Sequence, residues 1–197
     1  MRRYCFILLL LSLQTLGHPH VWIDVEIRPV QDAQGRIAAL RQSWQFDPFY
    51  STLLLEEVEQ GATSEQRQAL WQDLEKDIRA TLGDEGLYTF PRRQFAAPRD
   101  LRLVQKGNDL FVEAELPLLE PSKHLQYQIY EPEYYVEILH AKAQPLQIDG
   151  CRLTITPAEP SEEKYIEAAA LDKNQKGDPN LGRFFAETAE WTCREGK

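Results

Sequence analysis

The sequence predicts an α+β protein, mainly antiparallel strands with a few helices. Apolar residues alternate with polar ones in several short stretches, clusters of turn-forming residues separate those stretches, and only three segments show helical periodicity. From His20 to Val30 the apolar residues fall on odd positions, Val21, Ile23, Val25 and Ile27, the mark of a half-buried strand. Asp32-Ala33-Gln34-Gly35 is a turn, and Ile37 to Phe46 returns as a second strand. A register in which paired residue numbers sum to 67 sets Ile23 against Trp44 and Ile27 against Leu40 on the buried side. It pairs Glu26 with Arg41 and His20 with Asp47 on the polar side, and it avoids the Arg28–Arg41 clash that a sum of 69 would create.

Asp47-Pro48 supplies an N-cap and a first-turn proline for a helix running through Glu59. Thr63-Ser64 starts a second helix, with Leu70, Trp71, Leu74, Ile78 and Leu82 at helical spacing; that stripe is core packing. Leu101–Val104 and Leu110–Leu116 flank a hairpin turn at Lys106-Gly107-Asn108-Asp109. Strands at Leu125–Tyr130 and Tyr134–His140 follow, interrupted by Glu131-Pro132-Glu133, and then a strand at Leu146–Thr156. Ser161 caps a helix to Leu171, and the last strand is Glu187–Arg194.

The first seventeen residues read as a cleaved secretory signal peptide. Arg2 and Arg3 precede a Cys5–Leu13 apolar core too short to span a bilayer as a stable helix, and Thr15 and Gly17 are the small residues before the cleavage point. Residues 18–197 then form one periplasmic domain that begins with His18. Removing 17 of 197 residues leaves 180 and takes two of the 22 basic residues, so 20 face 31 acidic ones and the net charge moves from −9 to −11. That balance argues against nucleic acid and anionic lipid as partners. Cys151 and Cys193 are the only mature cysteines; in an oxidising compartment they are most simply a disulfide, worth about 4 kcal/mol on the chain-entropy model. A two-thiolate metal site is the alternative.

The chemistry concentrates at the new terminus. A free α-amine and Nδ1 of His18 would close a chelate ring on a metal ion, His20 would add a second imidazole and Asp47 an oxygen. That donor set suits Zn²⁺ and would accept Ni²⁺, Co²⁺ or Cu²⁺. Pro19 has no N–H to surrender, which excludes the square-planar amino-terminal copper/nickel motif. Glu131 and Glu133, set about Pro132 between tyrosines, are further carboxylate candidates; equally, they are the solvated acids of a strand break. The terminal histidines have a plain alternative too, as the hydrophilic end of an edge strand. No nucleophile elbow, HExxH pair or phosphate loop occurs, so nothing requires an enzyme.

Four ordered motifs, His18-Pro19-His20-Val21-Trp22-Ile23-Asp24, Trp44-Gln45-Phe46-Asp47, Tyr130-Glu131-Pro132-Glu133-Tyr134-Tyr135, and Phe185-Ala186-Glu187 leading to Cys193, resemble a periplasmic "domain of unknown function" family, the ZevA-like proteins. The resemblance implies an accessory protein that captures zinc, with nickel and cobalt as alternatives, for an inner-membrane permease of the nickel/cobalt transporter type. The family usually has aspartate where this chain has Glu131. Two other readings stand beside it: a structural partner of the permease that holds no metal, and a histidine-brace copper oxidoreductase using His124 or His140. The oligomeric state is open.

Overall fold

A computed structural model describes residues 19–171 and 177–194. The predicted leader, 1–17, and His18 lie outside the described residues. Among the described residues, ten strands form two five-stranded sheets. The first has the order β4(Arg99–Lys106)-β5(Asp109–Ser122)-β2(Ile37–Phe46)-β1(Val21–Gln31)-β7(Val136–His140). The second runs β3(Thr89–Phe90)-β6(His124–Ile129)-β10(Thr188–Cys193)-β9(Cys151–Thr156)-β8(Gln147–Ile148). Every pairing is antiparallel except β1 with β7. With three helices among the described residues, α1(Pro48–Glu59), α2(Ser64–Asp84) and α3(Glu162–Ala170), the architecture is the α+β class expected.

The alternation read from the sequence is what builds the core. Val21, Ile23, Val25 and Ile27 turn inward from β1 and meet buried residues of both sheets, with Trp44, Tyr127 and Trp191 among the largest. The outward face of the first sheet is charged. Glu113 holds Arg102 and Lys106, and Glu115 holds Arg99 and Arg41. Both helix starts follow their caps: Asp47 accepts from Tyr50 N–H, and Thr63 forms a reciprocal capping box with Gln66. Cys151 and Cys193 sit directly opposite across β9 and β10 and are bonded.

The register of β1 and β2 differs from the expected one. Paired residues sum to 69, with Ile23 opposite Phe46 and Arg28 opposite Arg41. The turn decides this. The Asp32 carboxylate accepts from the N–H groups of Gln34 and Arg36, Gln31 pairs with Ile37, and a shift at Val30/Gln31 carries every later pair one step further. The two arginines tolerate each other because each has its own acid: Arg28 bonds Glu26 at 2.6 Å, and Arg41 reaches Glu115 of β5 at 3.5 Å. The like-charge rule fails because it treats two strands in isolation.

Several strand boundaries also move, among them the end of β5, at Ser122 rather than Leu116. β7 begins at Val136 rather than Tyr134, because residues 131–135 form a turn in which Tyr134 takes a left-handed backbone, φ 61°. The predicted 146–156 strand is a hairpin, folded at Asp149-Gly150, both left-handed. The Asp-Gly pair is a known hairpin signal. Beyond β7, the Gln144 side chain continues the ladder on β1: its amide donates to Ile27 C=O at 2.8 Å and accepts from Ile27 N–H at 2.7 Å.

Candidate functional site

Three of the expected donor residues, His20, Asp47 and Glu131, lie around the start of β1, near the end of β2 and the turn into β7. His20 is half-buried; its N–H donates to Tyr135 C=O at 2.9 Å, and the two rings stand 4.8 Å apart. The shifted register sets Asp47 against Trp22 rather than His20. Asp47 N–H donates to Trp22 C=O at 2.9 Å, while its carboxylate accepts from Tyr50 N–H at 2.9 Å and from Trp22 N–H at 3.1 Å. Asp47 therefore ties the start of α1 to β1, and each oxygen keeps a further lone pair.

Glu131 plays a similar part next door. One oxygen accepts from Glu133 N–H at 2.9 Å and the other from Tyr135 N–H at 2.6 Å, which closes the turn leading into β7. The turn is clamped from outside, where Gly182 N–H donates to Pro132 C=O. A Cβ on Gly182 would lie 1.9 Å from the Glu131 carbonyl oxygen, so only glycine permits that approach. Glu133 is exposed. Two hydrogen bonds in series thus join the Glu131 carboxylate to the backbone of His20 through Tyr135. Among the described residues no three His, Cys, Asp or Glu side chains gather as a metal site.

The structure adds an arrangement that periodicity did not reveal. His140, inward-facing on β7 as its parity with Val136 and Ile138 predicts, meets Glu187 just before β10. Glu187 accepts from His140 N–H at 2.8 Å and from the ring Nδ1 at 2.9 Å, and Nε2 lies 3.2 Å from the Tyr127 hydroxyl on β6. The imidazole is 4% exposed. An ionised carboxylate only accepts, so Nδ1 carries a proton and, in the neutral ring, Nε2 accepts from Tyr127. Burial alone would push the Glu187 carboxyl up; the two bonds from His140 and its charge outweigh that and hold the carboxyl below the usual range. Burial pushes the Tyr127 phenol up. His124, by contrast, is exposed on β6, 3.4 Å from Thr192 Oγ1.

A third feature lies on the inner face of the first sheet. A cavity of about 310 Å³ opens between that face and the α1–α2 pair, floored by Ile23, Trp44 and Ile138 and roofed by Leu54, Leu74 and Ile78. Among the residues lining it are three tyrosines, Tyr50, Tyr88 and Tyr135. Leu87 and Tyr88 are consecutive left-handed residues, φ 53° and 46°, a costly turn held by the Tyr130 N–H bond to Tyr88 C=O.

The family description "Protein of unknown function (DUF1007)" matches residues 4–193. An uncharacterized protein of Haemophilus influenzae is 25% identical over 206 residues, covering 98% of this chain and all of the relative. No solved structure matches the chain.

Proposed function

The chain belongs to the DUF1007 family, and on that premise we propose that it is a periplasmic accessory protein that captures a divalent transition metal, zinc first and nickel or cobalt next, and presents it to an inner-membrane permease. The supporting observation is positional. His20 opens β1, where the Asp47 and Glu131 carboxylates are each fixed by two backbone N–H groups and so stand preorganised rather than mobile. Because no three internal donors converge among the described residues, the reading requires His18. His18 would give amine and imidazole and His20 a second imidazole. Asp47 would give an oxygen or orient the imidazoles, and Glu131 and Glu133 would only shape the field around them.

Titrating Zn²⁺, Ni²⁺ and Cu²⁺ into protein beginning at His18, and into protein carrying one extra N-terminal alanine, tests this. Terminal capture predicts an affinity loss of at least about a hundredfold on extension, since the His18 nitrogen becomes an amide and its chelate with Nδ1 is broken. Equal affinities overturn it and favour the second reading, a permease partner that holds no metal. The copper-oxidoreductase alternative would need a remote imidazole. Both ring nitrogens of His140 are engaged in the interior, and His124 lies on the other sheet.

A further inference from the structure

The cavity beneath the helix pair has a composition the metal reading does not use. Its walls are apolar, and its volume falls at the lower end of the range typical of small-molecule sites, which are apolar inside with a few polar groups at the edge. It persists because the helices cover the sheet lightly: Leu54, Leu74 and Ile78 are half-buried where a closed core would bury them fully, and on the far side of α1 Phe49 is 78% exposed. A helix pair resting on a sheet in this way leaves space that a ligand can fill without unfolding anything.

The sign of charge around the opening then limits what can enter. Asp77 of α2 lines the cavity directly. Burial first, and then Tyr135, Asp47 and Glu57, push the Tyr50 phenol up; burial and then Glu131, Glu85 and Glu133 do the same to Tyr88. That combination holds the Tyr88 phenol up at about 12, so it stays a neutral donor with an electron-rich ring face. The bias is local and not merely the chain's net charge. Arg28, Arg41, Arg99, Arg102 and Lys106 stand together on the first sheet's outward face, away from the cavity. A carboxylate or phosphate headgroup at the opening would be repelled by Asp77. An ammonium would face Asp77 and three aromatic rings.

We propose that the cavity between the α1–α2 pair and the first sheet binds a small amphiphilic organic cation, its apolar body against Ile23, Trp44 and Ile78 and its ammonium at the Asp77–tyrosine mouth. The cavity gives affinity for any short apolar chain, and the mouth selects the sign of the head. This site adjoins the terminal corner, sharing Tyr135 with it, but its occupant does not require a metal.

Three probes of equal chain length separate these contributions: octyltrimethylammonium, octanol and octanoate, each titrated calorimetrically into the chelator-treated full chain. The expected order is cation tightest and octanoate weakest, with at least a tenfold gap. Asp77→Asn, a change at an exposed position that leaves the fold intact, should shrink that gap at least threefold. Ile78→Trp should fill the cavity and weaken all three probes tenfold or more with the circular dichroism unchanged; if that variant does not fold, the Asp77→Asn comparison decides alone. Octanoate bound as tightly as the cation, a gap unmoved by Asp77→Asn, or full affinity in folded Ile78→Trp would each overturn the proposal. Since the titrations contain no metal, their failure leaves the metal reading standing, and failure of metal capture leaves this one standing.

Discussion

Two imidazoles on one sheet have opposite surroundings. At the start of β1, His20 stands near carboxylates whose oxygens are bound to backbone N–H groups. At the far end of the neighbouring strand, His140 has its own carboxylate: Glu187 holds both its ring and its backbone, with Tyr127 on the other nitrogen. The difference is one of topology. His20 lies at a strand end, where carboxylates are recruited to cap a helix and close a turn. His140 faces the seam between two sheets, where a polar group must be fully matched or not buried at all. The first arrangement leaves lone pairs over for something else; the second is closed and serves to fasten β7 to β6 and β10.

Breaking the closed junction should have the largest effect. Glu187→Ala strands a buried imidazole and a backbone N–H, and urea unfolding should show a loss of about 3 kcal/mol. Metal affinity at the terminus should stay unchanged, since His140 is five residues beyond Tyr135 along β7, roughly 16 Å at strand spacing.

The pH dependence sharpens the contrast. Glu187 has its folded carboxyl held below the ordinary carboxylate value by His140, although burial opposes this. Its contribution is therefore complete above that ordinary value and is lost as pH falls through it toward the folded value. Acid unfolding of Glu187→Gln should accordingly show a shallower slope across that window than the natural chain, measured by denaturant midpoint against pH.

Asp47→Ala should have the smallest effect, about 1–2 kcal/mol, through the lost α1 cap and the freed Trp22 N–H. Asp47→Asn should recover most of it, because the amide oxygen still caps. If Asp47→Ala instead matched Glu187→Ala, the strand-end corner would be as closed as the seam, and the contrast between the two histidines would collapse.

Much of this was legible in the residues. Asp47-Pro48 and Thr63 announced their helices because capping is a local contest between a side chain and the first free N–H groups. Alternation from Val21 to Ile27 announced the buried face, and two cysteines in a chain with a predicted leader announced their bond. The candidate site was legible as a set of residue types but not as an arrangement. His20 and Asp47 were expected to pair across the strands, and the turn at Asp32 moved them apart.

Local chemistry along the chain set most of the strands and all three described helices, and which side of each faces inward, since those depend on neighbours within a few positions. What waited on the assembled fold was the tolerance of Arg28 opposite Arg41, the parallel docking of β7 beside β1, the meeting of His140 with Glu187 across 47 residues, and the cavity left under α1 and α2. Each of these depends on a third element: β5 supplying Glu115 to Arg41, β10 following the acid that His140 needs, two helices settling lightly on a sheet. Pairwise rules cannot see a third partner, and burial makes that partner decide the outcome.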